Sequence, residues 1–279
     1  GTGERLPFWL GANQRGAVDP ASANLGLRMG AHRPFQRAAG LQYAVGAEVL
    51  GRASQSGTVA VQQLYGRLRY GPAQLTAGRR ARVVGRIDTS LSTGSVTWSQ
   101  NAPPPARISV SSNGYVPVPG TGNGVALKGS LTHGWLGEDR FVQNAFLHAK
   151  QLYLRLRLPG LPATAHAGLT HHAQWGGTSP LYGSLDASLS EWTRVALGSN
   201  VFSRSGRDAD SPAESTKANH LAMYDFGLDV ALGELHARVY RQFYHADVAS
   251  LNLRNVWDGL CGVSLRRDGP AFVDALLWE

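Results

Sequence analysis

The chain has 279 residues, 43% of them hydrophobic and only 16% charged, against about 25% charged in an ordinary soluble domain. No stretch reaches the roughly 18 consecutive apolar residues of a spanning helix, so a membrane form of this chain is restricted to a closed barrel. The net charge of +8 is scattered, without the blocks of like charge that mark a nucleic-acid arm, and it suits acidic polysaccharide or anionic lipid headgroups as partners. A single cysteine, Cys261, excludes an internal disulfide and a cysteine-based metal site.

Taken in chain order, apolar residues at every second position predict strands near 24–32, 41–50, 58–70, 74–84, 124–134, 147–158, 163–174, 191–201, 219–230, 234–244, 254–266 and 271–278, with weaker ones near 6–13 and 107–111. In the first, Leu25, Leu27, Met29 and Ala31 oppose Gly26, Arg28, Gly30 and His32. In the third, Leu64, Leu68 and Tyr70 oppose Gln63, Arg67 and Arg69. Leu152, Leu154, Leu156 and Leu158 then oppose Gln151, Tyr153, Arg155 and Arg157. Tyr224, Phe226 and Leu228 likewise oppose Asp225, Gly227 and Asp229. A helix would scatter each apolar set around its circumference, whereas a strand puts it on one face. No amphipathic helix is predicted between the strands, although 85–106 has room for a helical turn before Pro103-Pro104-Pro105.

Gly71-Pro72, Pro159–Pro162, Leu232-Gly233 and Arg267–Pro270 read as tight turns. The segments 85–106, 136–146, 176–190, 203–217 and 246–252 are longer, polar and glycine-bearing. Short turns alternating with long loops, on strands that are apolar on one side and polar on the other, predict an all-β fold. The architecture expected is a transmembrane antiparallel β-barrel with short periplasmic turns and long extracellular loops. The leucines of 152–158 then face lipid and Arg155 and Arg157 face the lumen. A soluble β-sandwich shares the alternation. The polar positions are rich in glycine, glutamine, arginine, tyrosine and histidine, which suits a crowded wet lumen better than open solvent.

Gly120-Thr121-Gly122-Asn123-Gly124 lacks the helix and the Lys-Ser/Thr pair of a phosphate loop. His171-His172, with His166 nearby, has no acidic residue at ligand spacing, and adjacent strand residues point to opposite faces. Asp208-Ala209-Asp210 lacks the glycine and terminal Glu of a calcium loop. No metal, cofactor or catalytic residue is therefore assigned. Two places join an aromatic platform to planar hydrogen-bonding groups, as sugar recognition requires. They are Trp135 with Glu138, Asp139 and Arg140, and Trp175 with His172 and Gln174. The competing reading puts Trp135 and Trp175 in the aromatic girdle at the membrane interface.

Several stretches resemble the capsule-assembly Wzi family: Leu6-Pro7-Phe8-Trp9-Leu10 with Ala12-Asn13-Gln14, Gly114-Tyr115-Val116-Pro117-Val118-Pro119, and His133-Gly134-Trp135 with Glu138-Asp139-Arg140. Others are Ala173–Pro180, Tyr224–Asp229, Tyr240-Arg241-Gln242-Phe243, and Leu253-Arg254-Asn255 with Asp258-Gly259-Leu260. The resemblance implies an outer-membrane barrel of about eighteen strands with a plug of helical segments. It also implies a lectin-like role in attaching capsular polysaccharide to the cell surface. The expected organisation is one barrel domain over 1–279, with 85–120 as a plug or loop segment. Too few strands are predicted for a full barrel, and Leu276-Leu277-Trp278-Glu279 carries no terminal aromatic, so missing C-terminal strands are expected. The rival functions are a porin-like channel and a secreted all-β polysaccharide hydrolase. The partners expected are capsular polysaccharide, with acidic repeats favoured by the charge, and outer-membrane lipid.

Overall fold

The computed structural model describes residues 5–20, 23–36, 39–54, 57–92, 94–198, 218–245, 257–269 and 272–279, and the side chains of Trp9 and His245 lie outside that description. The chain is all-β. Its strands are β1 (Leu25–Arg33), β2 (Gln42–Ala53), β3 (Thr58–Tyr70), β4 (Ala73–Arg79), β5 (Ala106–Ser112), β6 (Val116–Pro117), β7 (Val125–Trp135) and β8 (Phe146–Arg157). They continue as β9 (Ala163–Trp175), β10 (Thr178–Ser179), β11 (Gly183–Ser184), β12 (Asn219–Leu232), β13 (Leu235–His245), β14 (Leu260–Arg267) and β15 (Ala275–Trp278). One antiparallel sheet runs β1-β2-β3-β4-β5-β7-β8-β9-β12-β13-β14-β15, with β6 paired to β7, and β10 and β11 pair apart from it. Each long strand therefore lies beside its neighbour in sequence, as in a meander.

Period two gives this sheet an unusual pair of faces. One face presents Leu25 (76% exposed), Leu27 and Met29 of β1, Val59 (83%) and Leu64 of β3, Ile108 and Val110 of β5, and Leu152 (57%) of β8. The other buries Thr76, Arg107, Ser109, Thr132, Tyr153, Thr170, Asp225, Gln242 and Ser264. On most of the sheet apolar side chains look outward and polar ones inward, the reverse of a water-soluble sandwich; His148, Lys150, His171 and His220 are a polar group on the outer face. The register carries the same faces across the sheet, aligning Leu127 with Leu154 and Leu154 with Ala167. A bulge on β3 accommodates Gln62 opposite Glu48 and Val49, after which the pairing resumes.

Tyrosine rings of the inner face lie over glycines of the adjacent strand. Tyr65 is paired with Gly46, Tyr153 with Gly168 and Tyr240 with Gly262. A Cβ at Gly168 would sit 2.2 Å from the Tyr153 ring, and one at Gly262 2.1 Å from that of Tyr240. These glycines are spaces for rings, and they pin the register against a one-residue slip.

The strands expected at 24–32, 41–50, 58–70, 107–111, 124–134, 147–158, 163–174, 219–230 and 234–244 all form. That at 74–84 stops at Arg79. Two expectations fail. Residues 6–13 hold the helical turn α1 (Phe8–Gly11), and 191–201 begins as helix α2 (Leu189–Leu197). The Ser188 hydroxyl accepts from the Glu191 backbone N–H at 3.2 Å, and Gly198 closes the other end at φ 71°. These are a helix N-cap and a left-handed C-cap. The helix packs Val195 and Trp192 on Ala173, Trp175 and Phe146 of the outer face. The Lys150 ammonium donates to the Ala196 carbonyl at the helix C-terminus, where a cation is favoured. Among the described residues between β9 and β12, the chain forms the short pair β10 and β11 and then α2. Residues 199–201, 203–217, 246–252, 254–256 and 271, and with them Asp208-Ala209-Asp210, lie outside the described residues.

The polar inner face is covered by residues 80–105, whose described residues hold no helix, and the stretch expected as a plug ends there because 106–112 is β5. Asp88 is 2% exposed and accepts from Arg266 at 2.7 Å and from Ser264. The Asp225 carboxylate accepts from the Arg86 backbone N–H at 2.6 Å, the Tyr153 hydroxyl at 3.1 Å and the Gln242 amide at 3.3 Å. The Arg86 guanidinium pairs with Asp229, which also takes Arg238 at 2.8 Å. Gly85 sits at φ +94°, and a Cβ there would meet the Gln242 amide at 2.2 Å, so only glycine fits. At the other end of the segment, the Ala81 backbone N–H donates to Gln63 of β3.

These bonds require a curled sheet. In a flat sheet β3 and β14 would lie about 38 Å apart, at roughly 4.8 Å per strand step, whereas the stretch from Ala81 to Asp88 reaches at most about 25 Å. Residues 13–16 are held between this inner segment and β2. The Arg15 backbone N–H donates to the Gln100 carbonyl at 2.8 Å, and its guanidinium pairs with Glu48 at 3.2 Å.

Two outcomes follow from this packing. Gly168→Val should lower the denaturant midpoint of the refolded chain by about 1–3 kcal/mol of stability, since the Tyr153 ring has nowhere to go. Gly66→Val, where nothing lies within 4 Å, should leave the midpoint nearly unchanged. Burial alone would raise the Asp88 pKa, but the hydrogen bonds from Arg266, Ser264 and Ser90 hold it well below the ordinary value of 3.8. A carboxyl group depressed on folding contributes stability that is present above its unfolded pKa and lost as pH falls below it. Unfolding midpoints measured from pH 6 to about pH 3 should therefore fall more steeply for the wild type than for Asp88→Asn. Parallel curves would show that Asp88 does not anchor the segment.

Candidate functional site

On the long-loop side of the sheet, a cavity of about 200 Å³ opens between the inner segment and the β7–β8 connection. Its lining includes Trp98, Gln100, Arg82, Arg15 and Arg140. The elements that place these groups are distinct. Arg82 and Trp98 come from the two arms of the inner segment, Arg15 from the N-terminal stretch beside β2, and Arg140 from the connection following Trp135. Arg140 is held by its Nε donating to the Leu136 carbonyl at 3.0 Å.

The Arg82 guanidinium lies over the Trp98 ring at 4.3 Å from its centroid and donates to the Thr132 hydroxyl at 3.2 Å. Burial, and then the neighbouring Arg107, pull its pKa down to about 9. On another side of Trp98, the His172 ring stands at 5.3 Å. Trp98 is thus a fixed aromatic surface bordered by cations and by the Gln100 amide. With Arg82 over its face and His172 against it, the Trp98 ring stiffens a mouth lined by Arg15, Gln100 and Arg140, whose planar hydrogen-bonding groups are suited to sugar hydroxyls or carboxylates.

The seven residues singled out from the sequence divide between faces. His172 and Gln174 lie on the inner face of β9, and Arg140 lines the cavity itself. Glu138 and Asp139 are exposed in the same connection. Trp135 and Trp175 face outward: Trp175 packs on Phe146 at 4.9 Å, and Trp135 meets the edge of His133 at 4.9 Å. Together with Trp192 of α2 they form an aromatic cluster at the long-loop end of the outer face. The adjacent histidines do point opposite ways, as strand geometry requires. His172 meets Trp98, while the Nε2 of His171 lies 2.9 Å from the Nδ1 of His220 beneath α2.

Trp98, Arg82, Arg15 and Gln100 were not singled out from the sequence. The signal was present in Thr97-Trp98-Ser99-Gln100, an aromatic residue among polar ones, the same criterion that selected Trp135 and Trp175. The pairing of Trp98 with Arg82 and His172 joins residues distant in the chain and is visible only in the fold.

The chain matches no protein-family model, no curated protein and no solved structure.

Proposed function

We propose that this chain forms the wall of an outer-membrane β-barrel that holds polysaccharide at its loop-side mouth and attaches it to the cell surface without catalysing a reaction. The observation that carries the membrane part is the inverted sheet. An outer face of exposed leucine, valine and methionine, broken only where α2 covers His148, Lys150, His171 and His220, is unfavourable in water and suits lipid, and a polar inner face tied by hydrogen bonds suits a barrel interior. The exposed Trp135 at the loop-side rim is placed as an interfacial aromatic, while Trp175 and Trp192 are packed beneath and within α2.

The polysaccharide part rests on the cavity at Trp98 and on the resemblance to the Wzi family. Arg15, Gln100 and Arg140 supply its hydrogen-bonding groups, and Trp98, held by Arg82 and His172, fixes its wall. The inner segment favours a filled lumen over an open solute channel, because buried side chains of β12, β13 and β14 hold it in place. In cells that make capsule, Trp98→Ala and Arg140→Ala, made separately, should release capsule into the medium while barrel abundance in the outer membrane stays normal. Capsule retained by both variants would refute the site.

A further inference from the structure

The inner face carries more positive charge than its carboxylates can neutralise. Glu48 is met by both Arg15 and Arg28, Asp88 by Arg266, and Asp229 by Arg86 and Arg238. Among the inner-face arginines left without a carboxylate, five form a chain from the β3–β4 turn toward the cavity: Arg69 and Arg67 on β3, Arg107 on β5, and Arg80 and Arg82 at the start of the inner segment. Among the described residues none of these five has a carboxylate partner. Arg67 donates to the Gln74 amide oxygen at 2.7 Å, Arg69 to that of Gln42, Arg82 to Thr132 and Arg107 to the Arg80 carbonyl.

Burying such cations without an anion is costly, and the cost rises when they face one another. Arg107 is 3% exposed, and its Nη1 has no acceptor. The Nε atoms of Arg67 and Arg82 are buried without acceptors too. Mutual repulsion links Arg82 with Arg107, Arg107 with Arg80, and Arg80 with Arg67.

Four of the five also lie over aromatic rings. Arg67 and Arg69 stack on the Phe35 ring at 4.6 and 4.2 Å, Arg80 lies over Tyr65 at 5.4 Å, and Arg82 lies over Trp98 at 4.3 Å. An aromatic ring under the flat face of a guanidinium holds the group in place and leaves its N–H edge for a ligand. That edge matches two oxygens of a carboxylate, sulfate or phosphate.

We propose that the patch of Arg67, Arg69, Arg80, Arg82 and Arg107 is an oxyanion-binding site that receives the acidic groups of the bound polymer. The proposal extends the polysaccharide reading by making the polymer acidic. The arginine patch itself would bind a free oxyanion even if that reading failed.

The test uses the full purified chain in detergent micelles, titrated calorimetrically with inorganic sulfate, with a galacturonate hexamer and with a neutral maltohexaose. Saturable binding of sulfate or of the uronic hexamer is expected, weakened about ten-fold or more by Arg82→Gln and by Arg107→Gln. Arg157→Gln, outside the patch, should leave it unchanged. Should Arg107→Gln lose its folded, heat-modifiable migration on gels, Arg82→Gln and Arg67→Gln carry the comparison. A hexamer bound more tightly than sulfate puts the anion on the polymer, and sulfate bound as tightly or more tightly makes it a free ion; both uphold an oxyanion site. Absence of saturable binding by either anion, binding indifferent to these substitutions, or equal binding of the neutral hexamer with the same sensitivity to them would overturn it. Anion binding that survives while capsule retention is unaffected by Trp98→Ala and Arg140→Ala would refute the polysaccharide reading and leave the anion site standing.

Discussion

A β-strand sends successive side chains to opposite faces, and in this chain that geometry creates two surfaces suited to different surroundings. Leu127, Leu154 and Ala167 line up across β7, β8 and β9 on one face, while Tyr153, Asp225 and Gln242 are fully or nearly buried on the other. Buried polar groups without partners are expensive. The inner face therefore needs something polar to lie against, and residues 80–105 supply it. Backbone N–H groups at Ala81, Arg86 and Val96 bond to side chains of Gln63, Asp225 and Gln242. The curl of the sheet and the filling of its interior are two aspects of one hydrogen-bonding requirement.

The same requirement shapes the charge distribution. Glu48, Asp88 and Asp229 of the inner face are each engaged by arginine side chains, and Asp225 by the Arg86 backbone N–H, Tyr153 and Gln242, so the carboxylates act as anchors for chain segments. Asp88 ties the inner segment to β14, Asp229 ties it to β12 and β13, and Glu48 ties Arg15 to β2. What remains is a surplus of cations beside aromatic rings, at and below the cavity where Trp98 lies. Anchoring and binding thus draw on one population of arginines, separated by whether a carboxylate was placed opposite.

Much of this was legible in the sequence. Alternation at Leu152–Leu158 and at Tyr224–Val230 fixed both the strands and their faces, because a run of that length fits one period and not the other. Helix α2 was not recovered. Its short stretch covers little more than two turns, over which Val195 and Leu197 also fit period two, and the Ser188–Glu191 capping pair was the stronger signal. The outward aim of Trp135 was available from parity with Leu131, and that of Trp175 from parity with Leu169. Sugar-binding chemistry was nevertheless assigned to them from composition alone. The Trp98 cavity depends on a segment folding back against β7 and β9, and no local pattern encodes that long-range contact.

The most direct measurement asks which solvent each face meets. In a Cys261→Ser background, Leu154→Cys and Arg155→Cys can each carry an environment-sensitive fluorophore after insertion into bilayers containing a lipid-borne quencher. These neighbours lie on opposite faces of β8. An outward apolar face in lipid predicts strong quenching at 154 and little at 155. Equal quenching at both positions, or none at 154, would contradict the account.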